Sequence, residues 1–227
     1  MNGGSCLWLY GSEARGDSDP LSDVDVLAVG TQNQRIEQGL PPGAVVSRYS
    51  WTEVELMAST GSLFLLHVKT EGKCLYESRD VKGRLARLLG DLPEYKYVAR
   101  DLTGFRLVAD DVEESARQEE GDLYFESSLI AATIRHACIL ACYILRLPCF
   151  GRTEPVARAV ALLQLDPQIA NDFFDLYRVR LCTERSKDDG PGATWQQVRL
   201  WSSRLQKVLD ELDRIKNWEF SLPTHAR

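Results

Sequence analysis

Two aspartates separated by a single residue are the side chains in this sequence best suited to hold a metal ion. Asp23 and Asp25 lie in the segment Asp23–Val29, whose other residues are apolar and predict a strand. Side chains alternate along a strand, so both carboxylates are predicted to point to the same side. Two neighbouring carboxylates repel each other unless a cation lies between them, and oxygen ligands suit Mg²⁺, which also binds substrate phosphates.

A glycine–serine pair shortly before the aspartates is suited to hold a phosphate. Gly11 and Ser12 end the apolar run Cys6–Tyr10, which predicts a buried strand, and the pair predicts a turn there. Because glycine has no Cβ, backbone N–H groups can approach a phosphate closely, and the serine hydroxyl adds a further donor. The sequence therefore predicts that a phosphate and a metal ion meet between the first two strands.

The order of these motifs resembles the nucleotidyltransferase superfamily that includes DNA polymerase β, in particular its small bacterial members, the minimal nucleotidyltransferases. Their Gly-Ser pair is followed by Asp-x-Asp on the next strand, and they often carry the Ala14-Arg15-Gly16-Asp17 found here after the serine. The resemblance implies Mg²⁺ at Asp23 and Asp25, with ATP or another nucleoside triphosphate as substrate. It also implies that Gly11 and Ser12 cradle the phosphates and that Arg15 neutralises charge on the pyrophosphate leaving group.

A third acidic residue is usual on the third strand of this family, and the corresponding segment here contains none. That strand is predicted at Ala44–Tyr49, where Ser47 is the best candidate for the equivalent position. Glu53, Glu55 or a carboxylate from the second half of the chain remain alternatives for the missing acid.

Composition narrows the class of protein and of partner. The 227 residues are 44% hydrophobic and 26% charged, as in an ordinary globular protein with a sizeable core. A net charge of −6 argues against binding to nucleic acid, which requires clustered basic residues, and favours a small-molecule or cationic substrate. The sequence opens without the pattern of a secretion signal, so we expect a cytoplasmic protein.

The remainder of the first domain, residues 1–78, is predicted to contain helices that flank a small mixed sheet. Helices are predicted at Thr31–Leu40, after the capping-box spacing of Ser50 and Glu53, and from Ser62 to Gly72. His67 lies in the apolar run of the last helix and is predicted to be packed and hydrogen-bonded rather than catalytic. An edge strand is predicted at Lys73–Tyr76.

The second domain, residues 79–227, is predicted to be an all-α bundle, which makes the fold class α+β. Asp122–Leu147 is the most apolar segment, but charged residues in its middle favour the central helix of a bundle over a membrane span. Basic residues prevail between Arg79 and Arg106, and acidic residues between Asp110 and Glu126. These are either solvated helix faces or surfaces for a triphosphate and for a cationic partner.

Two known arrangements resemble such a pair of domains. One is the aminoglycoside nucleotidyltransferases, and the other pairs a minimal nucleotidyltransferase with a HEPN bundle in toxin–antitoxin systems. HEPN ribonucleases separate their Arg from their His, whereas Arg135 and His136 are adjacent, so RNA cleavage is not predicted. The sequence thus predicts transfer of AMP to a hydroxyl of a small molecule or protein. A catalytically weak antitoxin or regulator that binds a partner remains the alternative, and a homodimer is among the oligomeric options.

Overall fold

The chain forms two compact units, Met1–Tyr97 and Val98–Arg227. The computed structural model describes residues 4–20, 22–30, 39–41, 43–184 and 192–219. The boundary falls after Tyr97 rather than after residue 78, where the sequence predicted it. The reason is that Val81, Leu85 and Leu89 are buried in the core of the first unit.

A four-stranded mixed sheet forms the centre of the first unit, as the sequence predicted. Its strands are β1 (Cys6–Tyr10), β2 (Val24–Val29), β3 (Ala44–Tyr49) and β4 (Lys73–Glu77). Their order is β3-β2-β1-β4, with β1 antiparallel to both neighbours and β2 parallel to β3. The predicted edge position of β4 is confirmed, and β2 begins one residue later than predicted.

Four helices accompany this sheet in the described part of the unit: α1 (Gly11–Arg15), α2 (Trp51–Ser59), α3 (Leu63–Glu71) and α4 (Arg84–Gly90), with a 3₁₀ turn at Arg79–Val81. The predicted capping box opens α2, since the Glu53 N–H donates to Ser50 Oγ at 3.2 Å and the Ser50 N–H donates to Glu53 Oε2 at 2.6 Å. The helix predicted at Thr31–Leu40 lies mostly outside the described residues.

The core of the first unit lies between the sheet and these helices. Cys6, Leu27 and Val29 are buried there, because alternate residues of β1 and β2 share one face. The helices contribute the other buried side chains, namely Trp51, Val54, Ala58, Leu65, Val68, Leu85 and Leu89. This packing holds β1 and β2 in place. The predicted site lies where β1 ends and β2 begins.

The second unit is helical in all its described elements, as predicted. The helices are α5 (Val98–Gln118), α6 (Leu123–Ile144), α7 (Glu154–Leu162), α8 (Gln168–Glu184) and α9 (Trp195–Glu219). Among the described residues, α6 is the one helix long and apolar enough to cross a membrane, yet 67% of its most apolar stretch is buried inside the protein. It packs against α5, α7, α8 and α9, which is the central position predicted for it.

Candidate active site

The junction between β1 and α1 brings Gly11 against Asp25. Gly11 has a φ of +73°, a conformation that residues with a side chain rarely adopt. A Cβ at this position would lie 2.7 Å from Asp25 Oδ2. Only glycine therefore allows the chain to turn here with the Asp25 carboxylate in its present place, and the two predicted parts of the site are in contact.

The predicted Gly-Ser turn is the opening of a helix of one and a half turns. The N–H groups of Gly16 and Asp17 donate to the Ser12 carbonyl at 2.8 and 3.1 Å, which ends α1. Gly16 adopts the left-handed conformation typical of a helix C-terminus. The sequence predicted the change of direction at Gly11, while the length of α1 depends on these two closing bonds.

Asp25 occupies the second position of β2, and Asp23 directly precedes the strand. In the sheet, Asp25 is paired with Tyr10 on β1 and with Val45 on β3. Its side chain is half-buried, whereas Asp23 is exposed. The two carboxylates therefore lie at the end of the sheet where β1 passes into α1, as the strand pattern predicted.

The register of β3 corrects the position proposed for a third acid. Val45, and not Ser47, is the β3 residue beside Asp25, because Val24 is paired with Ala44 and the strands run parallel. Ser47 lies two residues further on and its Oγ is 3.2 Å from the Tyr10 hydroxyl. The apolar and half-exposed Val45 thus stands where an acidic residue would be closest to Asp25.

Tyr10 is a residue of this site that the sequence did not single out. Burial raises the pKa of Tyr10 above its usual value, the hydrogen bond with Ser47 opposes that shift, and the nearby Asp25 carboxylate adds to it. The hydroxyl therefore stays protonated and hydrogen-bonded at neutral pH. Its position was not predictable because Tyr10 reads as one more apolar residue of a buried strand.

The two glutamates suggested as replacement acids have other partners. Glu53 caps α2, and Glu55 accepts from Arg84 Nη2 at 2.6 Å. In the part of the chain that the structure describes, no three or more His, Cys, Asp or Glu side chains are grouped to hold a metal ion. A carboxylate from the second half of the chain stays a prediction.

Arg15 lies at the end of α1 and binds two carboxylates. Its Nε donates to Asp17 at 3.0 Å and its Nη1 donates to Glu71 at 2.5 Å. His67 Nε2 lies 2.8 Å from the same Glu71 oxygen, and the His67 ring meets the Tyr10 ring edge-on at 5.4 Å between centroids. The prediction that His67 is packed and hydrogen-bonded is confirmed. Its spacing of four residues from Glu71 on one helix was the signal available for this pair.

The residues present fit a magnesium–nucleotide complex. Asp23 and Asp25 offer only oxygen ligands, which Mg²⁺ prefers when it is shared with substrate phosphates and water. A Cβ on Gly11 would meet the Asp25 carboxylate, so the absence of a Cβ allows the backbone and the carboxylate to lie close together. The backbone of the Gly11-Ser12 segment and the Asp25 carboxylate therefore lie together at one end of the sheet.

Comparison with known proteins supports the fold. No family model and no curated protein matches this chain. Among solved structures, the chain is similar to the spectinomycin adenyltransferase AAD(9) from Enterococcus faecialis, determined with ATP and spectinomycin. The two share 14% sequence identity over 92% of this chain and 93% of that chain, with a TM-score of 0.53. This similarity confirms the α+β fold, in which a small mixed sheet with flanking helices is followed by a helical domain.

Proposed function

We propose that this chain, which has the nucleotidyltransferase fold, transfers a nucleoside monophosphate from a triphosphate to a hydroxyl group. ATP is the proposed donor, and the acceptor is a small molecule or a protein. The similarity to an adenyltransferase that was solved with ATP and a small-molecule acceptor supports this choice.

The observation that carries the proposal is the contact between Gly11 and Asp25. A separate turn or a separate Asp-x-Asp is common in proteins, but here a Cβ on the glycine would collide with a carboxylate oxygen of the second aspartate. Such close contact serves a ligand that is bound by backbone N–H groups on one side and by a cation on the other.

Each residue of the site has a proposed role in the transfer. The N–H groups and hydroxyl of the Gly11-Ser12 segment hold the β- and γ-phosphates, and Asp23 and Asp25 hold Mg²⁺. The acceptor oxygen forms a bond to the α-phosphorus, the bond from that phosphorus to the bridging oxygen breaks, and pyrophosphate leaves. The acceptor proton passes to a base. When bound, Mg²⁺ supplies charge neutralisation at the phosphates, and Arg15 is proposed to assist at the pyrophosphate.

Incubation of the full chain with α-³²P-labelled ATP and Mg²⁺ tests this function. Acceptors should include spectinomycin, other hydroxyl-rich amines and the protein itself, and labelled product with release of pyrophosphate is the expected result. Asp25→Asn should lower transfer by about two orders of magnitude, whereas Asp91→Asn, which changes an exposed aspartate of the same unit, should leave it intact. Absence of both transfer and Mg²⁺-dependent nucleotide binding in the wild type would refute the proposal.

A second candidate is a partner-binding regulator or antitoxin with weak catalysis. Val45 favours it, because an apolar side chain occupies the position beside Asp25 where a third acid would be nearest. Size-exclusion chromatography and pull-down from the native host should then reveal a stoichiometric partner. If the double substitution Asp23→Asn and Asp25→Asn leaves the biological effect unchanged, this candidate is preferred over the enzyme.

A further inference from the structure

The Glu71 carboxylate connects α1 to α3 through one oxygen. Glu71 Oε2 accepts from Arg15 Nη1 at 2.5 Å and lies 2.8 Å from His67 Nε2. Glu71 is the last residue of α3 and its side chain is only 8% exposed. Its partner Arg15 lies 56 residues earlier in the chain, at the end of the helix that opens with the Gly-Ser segment.

The charge on Glu71 is maintained by its partners. Burial tends to raise the pKa of Glu71, but the hydrogen bonds with His67 and Arg15 and the positive charge of Arg15 outweigh burial, and the pKa of Glu71 lies below its usual value. Glu71 is therefore ionised at neutral pH. A buried carboxylate that accepts from a guanidinium forms a strong and directional bond, which holds the partner in one orientation.

The helix that this bond holds is too short to be stable by itself. α1 is five residues long, and Ala14 is its one apolar side chain in the buried core. A helix of this length does not hold its own geometry in water, so tertiary contacts must fix it. The Arg15–Glu71 pair is a side-chain bond from α1 to another helix, and it fixes the end of α1 opposite Gly11.

The Glu71 carboxylate is also connected to Tyr10 through His67. His67 contacts the Tyr10 ring, and Tyr10 is paired with Asp25 in the sheet and bonded to Ser47. Glu71 thus contacts both the helix that carries the phosphate-binding segment and the side chain that supports Tyr10 beside Asp25.

We propose that Glu71 is a positioning residue that fixes the Gly11-Ser12 segment relative to Asp25 by holding Arg15. The inference rests on the proposed function, because it assigns to that segment the β- and γ-phosphates of the nucleotide. Glu71 itself contacts neither substrate nor metal. Its loss should therefore weaken binding of the terminal phosphates and leave binding of the nucleoside monophosphate portion unchanged.

Binding of two nucleotides to the full chain tests this role. The probes are α,β-methylene-ATP with Mg²⁺ and AMP with Mg²⁺, measured by calorimetry on the wild type and on Glu71→Gln. The matched control is Glu55→Gln, which removes an exposed ion pair with Arg84 in the same unit. We expect Glu71→Gln to lower the affinity for the triphosphate analogue about 10-fold, as is typical when a residue that orients a ligand-binding group is removed. The affinity for AMP, and both affinities of the control, should stay at wild-type values.

A double-mutant cycle distinguishes positioning through Arg15 from a general structural role. If Glu71 acts by holding Arg15, Glu71→Gln should have no further effect on the triphosphate affinity in the background of Arg15→Gln. The inference would be overturned if the affinities for AMP and for the triphosphate analogue fell equally. Additive effects of the two substitutions on the triphosphate affinity would also overturn it.

The remaining outcomes separate the inference from the proposed function. A wild type that binds neither nucleotide overturns the proposed function, whereas a wild type that binds both and a Glu71→Gln protein with unchanged affinities overturn the inference alone. If Glu71→Gln does not fold, Glu71→Asp keeps the charge but withdraws the carboxylate from Arg15 by one methylene group. Selective loss of the triphosphate analogue in that variant supports the inference, and wild-type affinity overturns it.

Discussion

Two ion pairs, one in each unit of the chain, differ in how far they are removed from water. In the first unit, the Glu71 side chain is 8% exposed and holds Arg15 and His67 with one oxygen. In the second unit, pairs such as Arg158 with Glu154 join side chains that are 37% and 49% exposed. Exposed pairs add little to stability because water screens them, while a buried pair fixes the position of its partners. The buried Glu71 carboxylate therefore fixes the geometry of its partners, whereas the exposed Arg158–Glu154 pair does not constrain the fold.

In the second unit, apolar side chains of long helices pack together and stabilise the fold. Ile130, Ile134 and Leu140 of α6 and Leu205 and Leu209 of α9 are almost completely buried. The long helices can bury a continuous apolar stripe, which the short α1 of the first unit cannot do. This contrast predicts which substitutions affect activity and which affect the free energy of unfolding.

The largest effect is expected from Asp25→Asn on nucleotidyl transfer. The amide keeps the shape of the side chain but removes a metal-binding charge, so transfer should fall by about two orders of magnitude. In EDTA the melting temperature should stay the same or rise, because repulsion between Asp23 and Asp25 is relieved. Asp25 would be a structural residue if Asp25→Asn melted at a clearly lower temperature than the wild type in EDTA, and if Mg²⁺–ATP did not raise the melting temperature of the wild type.

Leu205→Ala is expected to have the largest effect on stability. Leu205 is fully buried, and its truncation leaves a cavity that should lower the free energy of unfolding by about 3 kcal/mol. Leu200→Ala on the same helix is the control, since Leu200 is 49% exposed and should change stability little. Urea denaturation followed by circular dichroism measures both. Equal effects of the two substitutions would contradict the described packing of α9.

Glu71→Gln should lower stability by about 2 kcal/mol at neutral pH, because a buried, charge-assisted hydrogen bond is lost. The pKa of Glu71 is depressed in the folded protein, so its stabilisation is fully present above the unfolded value of about 4.3. It is lost as the pH falls through the lower folded value. Urea denaturation at pH 7, 5, 4 and 3 should show a constant difference from wild type down to pH 5 and a decreasing one below pH 4. A difference at pH 3 as large as that at pH 7 would mean that the charge of Glu71 is not involved.

Gly11→Ala and Gly43→Ala should separate backbone strain from the contact with Asp25. Both glycines have a positive φ, +73° and +82°, so each substitution should cost about 1–2 kcal/mol. A Cβ at Gly11 would meet Asp25 Oδ2, whereas nothing lies within 4 Å of a Cβ at Gly43. Melting temperatures should therefore fall similarly, while Mg²⁺–nucleotide binding is lost only in Gly11→Ala. Parallel loss of binding in both variants would remove the argument for a functional contact.

The smallest effect is expected from Arg158→Gln in the second unit. Its half-exposed pair with Glu154 spans one helical turn, and removal should change the free energy of unfolding by about 0.5 kcal/mol or less. Comparison with Glu71→Gln by the same denaturation assay measures the difference between the two units directly. A loss as large as that of Glu71→Gln would show that charge is equally important in both.

Local patterns in the sequence were sufficient for most of the fold. The alternation of Asp23–Val29, the apolar run Cys6–Tyr10 and the capping box at Ser50 each involve residues close together in the chain. For this reason β1, β3, α2 and the central position of α6 agree with their predictions. The motif order that resembles nucleotidyltransferases is likewise a property of consecutive residues, and it predicted the fold that the comparison supports.

Tertiary structure alone decided the features that depend on contacts between residues far apart in the sequence. Val45 lies beside Asp25 because the parallel register of β2 and β3 is set by the packing of both strands, and no residue within either strand specifies it. The boundary after Tyr97 depends on Leu85 and Leu89 joining a core that begins with Cys6. Arg15 and Glu71 are ordinary surface residue types in the sequence, and only folding removes them from water and makes each the partner of the other.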